Sequence, residues 1–405
     1  MSDDNSDPGV LGPLEYESHP WSPGNVYAGR SAIRKHSGPY RAAIPAQIAA
    51  LDWVPLFDGQ VFADADEATQ QLVRLDQYLA AKRDSEREEL APMTSILLRT
   101  ESTSSSQIEN LTVGARQLAL AELGEQASNN ARLVTANVHA MEAATELAEE
   151  VSIGSVLEMH RRLLEGVDPE AGSLRTQQVW IGGSAVGPNL ATFVPPHQSR
   201  VTKALDDLVD FCHRDDLSPL IQIAIAHAQF ETVHPFTDGN GRTGRALVQS
   251  MLKGSGLTAH TTVPLSAGLL VDVERYFGAL TAYRAGDPNP IVSEFSRAAR
   301  YAAAEGQELV DDLDRIRVES ASRLVARSDS AVWALNDLLI RQPVVNTAYV
   351  SKALGISKVS AQTSIDRLEA AGTLTESTKK VRHRVWQANE VIARLDEFAA
   401  GIRRA

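Results

Sequence analysis

The run His234-Pro235-Phe236-Thr237-Asp238-Gly239-Asn240-Gly241-Arg242-Thr243-Gly244-Arg245 constrains the chain more than any other stretch. It obliges one helix to stop and another to begin within a few residues. Upstream, PLIQIAIAHAQFETV carries apolar residues at helical spacing, with Ile223, Ala226, Phe230 and Val233 on one face. Pro235 cannot continue that helix, so His234 falls at the break. Downstream, RTGRALVQSML again reads as a helix, from Arg242 to Leu252. The loop between them, Phe236 to Gly241, opens the second helix.

A Gly-Asn-Gly turn at a helix start suits an anion. Glycine permits close approach to the backbone, the first helical amides lack internal partners, and the dipole there favours negative charge. Successive amides in such a turn can also form an anion nest. Arg242 and Arg245 share a helical face, and both can fork around phosphate oxygens. Asp238 belongs beside phosphates only with a cation between them, and Mg2+ is the natural candidate. His234, with an unperturbed pKa of about 6.5, can accept a proton from a hydroxyl at neutral pH. Together these residue types suit a polyphosphate, a metal ion and a proton to remove.

At every specified position the run resembles the signature of the Fic family, H-x-F-x-D/E-G-N-G-R-x-x-R. The resemblance implies transfer of AMP from ATP to a Ser, Thr or Tyr hydroxyl of a target protein. In that role His234 deprotonates the hydroxyl, and Asp238 holds Mg2+ against the α- and β-phosphates. Asn240 and the amides around Gly239 and Gly241 cradle the phosphates. Arg242 reaches the β-phosphate and Arg245 the γ-phosphate, while buried Phe236 anchors the loop. AMP as the group transferred is given only by the resemblance. His227, two turns before His234, reads as a structural, hydrogen-bonded histidine.

Two further features take roles from the same resemblance. Val179-Trp180-Ile181 and Leu190 to Pro196 flank a Gly/Pro/Asn turn and read as a hairpin. The family's flap lies there, and Thr192, Phe193 and Val194 would form the edge that pairs with an extended target segment. Tyr276 and Phe277, on a helical stretch, fall where family aromatics line the adenine pocket; a core role is equally compatible with either.

Ser105 to Asn110 fits S/T-x-x-x-E-G/N, the inhibitory motif of regulated Fic proteins, with Glu101 and Ser106 in its flank. Glu109 is expected on a helix. A carboxylate beside Arg245 competes with the γ-phosphate, because the guanidinium can fork around only one of them. ATP would then bind with its α-phosphate misdirected.

The chain has 405 residues, with 43% hydrophobic and 22% charged, which indicates globular domains. The net charge of −13 argues against a protein that coats nucleic acid along its whole length. Cys212 is the single cysteine, so no intrachain disulfide can form. The opening MSDDNSDPG is unlike a signal peptide and no apolar run is long enough to span a bilayer, so a soluble cytoplasmic protein without a membrane partner is expected.

The expected fold is mainly α: a Fic-type helical domain with a β-hairpin flap, plus a small α/β winged-helix domain. Residues 1–40 read as a partly ordered lead-in, 41–150 as a helical region with the inhibitory helix, 151–315 as the catalytic core, and 325–395 as the last domain. In that last domain helices are expected at Ala331 to Arg341, Ala348 to Leu354 and Ser360 to Ala371, then a hairpin whose turn carries Lys379-Lys380. The order resembles a winged helix-turn-helix. Residues 321–405 carry 13 Lys+Arg against 8 Asp+Glu, a net of +5, whereas the rest of the chain is net −18. Lys358, Arg367, Lys379, Lys380, Arg382 and Arg384 are the candidates for DNA phosphate contact, with protein interaction the competing use. The leading expectation is a self-inhibited protein adenylyltransferase using ATP and Mg2+, acting on a flexible hydroxyl-bearing segment and on itself, with a homodimer as a further expectation. The alternatives are an ATP-sensing DNA-binding regulator, or the same site moving phosphate or UMP or removing AMP.

Overall fold

A computed structural model describes residues 11–23, 29–85, 91–125, 127–377 and 384–402. Its elements in chain order begin with strand β1 (Glu15–Trp21), helix α1 (Arg30–His36), strand β2 (Gly38–Ile44), α2 (Gly59–Ser85), α3 (Ala91–Ile108), α4 (Ala115–Glu122) and α5 (Asn129–Glu146). There follow α6 (Ile153–Leu164), α7 (Val201–Cys212), α8 (Pro219–Val233), α9 (Asn240–Gly254), α10 (Leu265–Leu270), α11 (Val273–Arg284) and α12 (Asn289–Ser322). The chain ends with α13 (Ala331–Arg341), β3 (Val344–Val345), α14 (Thr347–Ala353), α15 (Lys358–Ala370), β4 (Thr375–Glu376), β5 (Trp386–Gln387) and α16 (Asn389–Gly401). Contacts divide it into two units. One holds Ala143–Ser255, Val273–Arg297 and the described residues up to Thr69; the other holds Gln70–Glu142, Gly256–Asp272 and the described residues from Ala298 on.

In the first unit α8 is the central helix. Every residue from Leu220 to Val233 is buried, so the helix is enclosed on all sides rather than amphipathic. Helices α7, α9 and α11 pack on it. Gly244 of α9 allows the closest approach: a Cβ there would lie 2.9 Å from Phe230 Cδ1 and 3.1 Å from Glu231 Oε1. Helix α6 starts in a reciprocal cap, Ser155 N donating to Ser152 Oγ at 3.1 Å and Ser152 N to Ser155 Oγ at 2.9 Å. Its buried face, including Met159, His160 and Leu163, packs on α9. Cys212 lies against Met251 Sδ at 3.8 Å, and burial pushes its thiol up to about 12, which leaves it unreactive.

The expected lead-in carries regular structure at β1 and at the start of β2. β1 and β2 form an antiparallel pair running from Glu15↔Ile44 to Trp21↔Gly38. The Gly/Pro/Ser content hid these strands, whose order comes from distant aromatic packing: Trp21 and Trp180 meet edge to face at 5.2 Å, and Tyr40, Ala42 and Val194 share a core cluster.

In the second unit α3 packs on α10 and α13. Glu101, buried on α3, accepts from Ser266 N at 2.8 Å and Ser266 Oγ at 2.5 Å, and so caps α10. Arg99 pairs with Glu122 and donates to the Arg341 carbonyl. Ala119 and Leu120 of α4 form one core cluster with Val344, Val385 and Ile392. α13 matches the expected helix at both ends. Asn346 caps α14 by accepting from Tyr349 N at 2.8 Å, Ser357 caps α15 by accepting from Ser360 N at 3.1 Å, and Gly372 ends α15 at φ +77°. β5 lies between β3 and β4, antiparallel to both. Among the described residues, no helix is long and apolar enough to cross a membrane.

Candidate active site

The site is built where α8 stops. His234 N still bonds the Phe230 carbonyl at 2.9 Å, but its own backbone is left-handed, φ 50° and ψ 63°. For a residue other than glycine that conformation costs on the order of 1–2 kcal/mol, so its surroundings must impose it. Arg175, 3% exposed, imposes much of it. Its Nε donates to the His234 carbonyl at 2.8 Å, and its Nη2 to the carbonyls of Pro196 and, at 3.4 Å, Val233. Its backbone N–H takes the Pro235 carbonyl at 3.0 Å. Burial lowers this guanidinium to about 10, which leaves it charged at neutral pH.

The loop after Pro235 is closed by Asn240. Its Oδ1 accepts from Phe236 N at 2.8 Å, and its Nδ2 donates to the Phe236 carbonyl at 2.9 Å. The Phe236 ring is fully buried and stacks on His160 at 3.7 Å, within 5° of parallel. His160 Nδ1 accepts from Gly172 N at 2.9 Å, which fixes the tautomer with the proton on Nε2. Nε2 then donates to the Asp238 carbonyl at 3.1 Å, so His160 supports the loop from below. Burial lowers its pKa and keeps it neutral. Gly239 turns the chain at φ +73°, where a Cβ would meet Leu163 Cδ2 at 3.0 Å.

That turn starts α9. Its first intrahelical bond runs from Thr243 N to the Gly239 carbonyl at 3.0 Å, so the amides of Asn240, Gly241 and Arg242 precede the ladder. Arg242 and Arg245 lie on α9 and are both buried, 4% and 2% exposed. Asp238 is the outward group of the loop, its side chain 69% exposed. Its Oδ1 accepts from Gly239 N at 2.7 Å and its Oδ2 lies 3.8 Å from Arg242 Nη2. Among the described residues no set of three His, Cys, Asp or Glu could hold a metal by itself. A lone exposed carboxylate beside helix-start amides does fit Mg2+ held partly by a ligand's phosphate oxygens.

His234 itself is half-enclosed, 18% exposed, with Nδ1 buried, lacking a hydrogen bond and 4.0 Å from Glu231 Oε2. Burial lowers its pKa to about 3, and the charges of Arg284 and Arg175 act in the same direction. The imidazole is therefore neutral and able to accept a proton. His227 fits its structural reading: Nε2 meets the Tyr276 hydroxyl at 2.7 Å in the core.

Other expected residues are placed differently. Tyr276 is 1% exposed and committed to His227, so it belongs to the core and not to a pocket wall; Phe277 is 46% exposed on the outer side of α11. The flap is a hairpin held by single bridges, Ile181↔Phe193 and Ser184↔Gly187, instead of continuous strands, because Gly182 and Gly183 both turn at positive φ. Phe193 N and O both pair with Ile181, and the Val194 carbonyl takes Ala43 N at 3.0 Å. The expected docking edge at Thr192, Phe193 and Val194 is thus largely paired within the unit, with only the Thr192 side chain exposed.

In the second unit Ser105 is buried on α3, and Glu109 falls one residue past the helix rather than on it. Asn110 turns left-handed at φ 63°, with Asn110 N on the Gln107 carbonyl at 2.9 Å and Leu111 N on that of Ser106 at 3.0 Å. This is a Schellman ending, in which the residue after the C-cap is left-handed and favours Gly or Asn. The G/N of the motif therefore has a backbone cause, and Glu109 is held as the C-cap. Of the expected DNA contacts, Lys358 is exposed at the start of α15. Arg367 donates to Ser330 Oγ at 3.1 Å, and Arg384 pairs with Glu376 at 2.5 Å over the Trp386 ring. Lys379, Lys380 and Arg382 lie outside the described residues.

Sequence reasoning missed His160, Arg175 and Arg284. A histidine on the apolar face of α6 was the only local sign of the first. The arginines gave none, since the groups they bind at the end of α8 lie 50 or more residues away.

Residues 62–146 match the profile of the Fic/DOC family N-terminal region, and residues 150–252 that of the Fic/DOC family. The chain is 36% identical over 151 residues to protein adenylyltransferase fic-1 of Caenorhabditis elegans, covering 36% of this chain and 26% of that protein. It is 37% identical over 111 residues to protein adenylyltransferase Fic of Drosophila willistoni, covering 26% of this chain and 20% of that protein. The chain thus spans about a quarter of the length of these curated relatives or less. A crystal structure of a Fic family protein from Desulfovibrio desulfuricans has the same fold, with a TM-score of 0.50 at 21% identity over 79% of this chain and 95% of that one. Residues 62–146 and 150–252 of the chain thus carry the two regions of the Fic/DOC family.

Proposed function

We propose that this chain transfers AMP from ATP to a Ser, Thr or Tyr hydroxyl of a protein. The observation that carries the reading is the position of His234 at the lip of a loop whose far end opens α9, with Arg242 and Arg245 on that helix. The curated relatives named as protein adenylyltransferases support it. The hydroxyl oxygen attacks the α-phosphorus while its proton passes to the His234 imidazole. The bond from the α-phosphorus to the α,β-bridging oxygen breaks, and pyrophosphate leaves. The amides at the start of α9, Arg242 and Arg245 bind the phosphate oxygens. Asn240 and Phe236 act one step back, by fixing the loop that presents those amides. Mg2+ held at Asp238 would neutralise phosphate charge.

Glu109, the C-cap of α3, is the brake in this reading. Residues 325–395 are read as a winged helix, on the order of α13, α14, α15 and the β4–β5 pair, with Lys358 and the exposed face of α15 toward DNA. The test incubates wild type, Glu109→Gly, and Glu109→Gly/His234→Ala with Mg2+ and ATP labelled on the α- or the γ-phosphate. The reading expects α-label on protein in the Glu109 variant and its loss in the double variant. γ-Label on protein, or no label in any sample, would overturn it.

A further inference from the structure

Two buried arginines converge on the end of α8. Arg175 takes the carbonyls of Val233 and His234. Arg284, the last residue of α11, takes the Glu231 carbonyl through Nη2 at 3.1 Å, and its Nε lies 3.4 Å from Thr232 Oγ1. Both thereby satisfy carbonyls at a helix end that have no partner within the helix. Arg284 does more. Its Cζ lies 3.8 Å from the centre of the Phe193 ring, and Phe193 is the flap residue that pairs with Ile181 through both backbone groups. The Arg284 carbonyl accepts from Leu14 N at 2.9 Å. Two residues on, Gly286 sits at φ +95°, where a Cβ would lie 2.9 Å from Pro13 N, so the segment before β1 crosses in close contact there. The backbone of Arg284 is fixed from one side, and its guanidinium joins the flap to the helix that ends in His234.

We infer that Arg284 is a positioning residue for the transfer: it holds the Phe193 arm of the flap in register with His234, and so sets where a hydroxyl-bearing segment lies relative to the base. The inference rests on the proposed reading of His234. A displacement of about 1 Å between reacting groups can lower a rate by about 100-fold, so a single tie of this kind is enough to matter. The charge of Arg284 has a second effect. Among the described residues, the charged groups facing the imidazole are Arg284 from α11, Arg175 from the segment after α6, and Glu231 on α8 itself. Both arginines disfavour the imidazolium, so loss of Arg284 moves the protonation of His234 to higher pH.

The test uses the Glu109→Gly background, with the Glu109→Gly/His234→Ala chain as the acceptor in trans. Arg284→Ala is expected to lower kcat/KM for the acceptor by about 10- to 100-fold, to leave KM for ATP within about 2-fold, and to move the acid limb of the rate profile upward. Arg284→Lys should restore the acid limb without restoring kcat/KM, because it returns the charge but not the planar fork and stack. Phe193→Leu should reproduce the loss in kcat/KM and leave the acid limb in place. Unchanged acceptor kcat/KM in both Arg284→Ala and Phe193→Leu overturns the inference. So does a loss in Arg284→Ala that tracks melting temperature while the acid limb stays fixed. No labelling by the Glu109→Gly parent would instead count against the proposed reaction, before any Arg284 variant is considered.

Discussion

Replacing Asn240 with Ala tests the loop most sharply, because one side chain serves two buried backbone groups. Its amide accepts from Phe236 N at 2.8 Å and donates to the Phe236 carbonyl at 2.9 Å, with Asn240 itself 3% exposed. Each group left without a partner costs about 1–3 kcal/mol while the loop keeps its shape. The native shape then loses about 2–6 kcal/mol relative to open loop conformers in which water replaces the amide. If only the Phe236 amide is followed, 1–3 kcal/mol corresponds to about 5- to 150-fold faster exchange of that proton. Asn240→Asp should be at least as harmful, since it keeps the acceptor but sets a carboxylate oxygen against the Phe236 carbonyl. Hydrogen exchange on a peptide covering 234–241, read beside AMP transfer, measures both consequences. Faster exchange confined to that peptide, with transfer lowered, is the expected result. Unchanged exchange and unchanged transfer in Asn240→Ala would refute the claim that this side chain holds the phosphate-facing loop.

Three further predictions follow from particular contacts. Gly244→Ala should destabilise the first unit by about 1–3 kcal/mol in urea unfolding, because its Cβ would press on Phe230, Glu231 and His227 at 2.9, 3.1 and 3.3 Å; unaltered unfolding would mean that α8 and α9 separate without penalty. Asn110→Gly should keep the brake and the stability, whereas Asn110→Val should raise basal transfer by weakening the left-handed turn that holds Glu109; equal basal rates in both would dissociate the turn from the brake. The acid limb of kcat/KM for ATP should lie well below pH 6, because burial and then Arg284 and Arg175 hold His234 near 3. Bound nucleotide brings negative charge that favours the imidazolium, so the acid limb of kcat should lie at higher pH than that of kcat/KM. Coincident limbs near 6.5 would contradict that electrostatic picture.

The sequence was most legible where local chemistry decides the structure. Pro235 and Gly239 mark the end of α8 and the start of α9, and Gly372 marks the end of α15, because each forces the backbone locally. α13 appeared with its limits for the same reason. What stayed hidden was set by distance along the chain. His160 meets Asp238 across 78 residues, and Arg175 meets His234 across 59, with neither pair bearing on local periodicity. The β1–β2 pair escaped because its order depends on Trp21 packing against Trp180. Tyr276 was ambiguous for a related reason: an aromatic at helical spacing fits a pocket or a core equally well, and the His227 hydrogen bond that decides between them comes from another helix.

The most direct test of the central claim is mass analysis of the products formed by the Glu109→Gly variant with Mg2+ and ATP. The account predicts adenosine monophosphate attached to a Ser, Thr or Tyr oxygen and pyrophosphate released in equal amount, with both absent when His234 is also replaced by Ala. Phosphate on the protein with ADP in solution, or free AMP with no adduct on any protein, would contradict it.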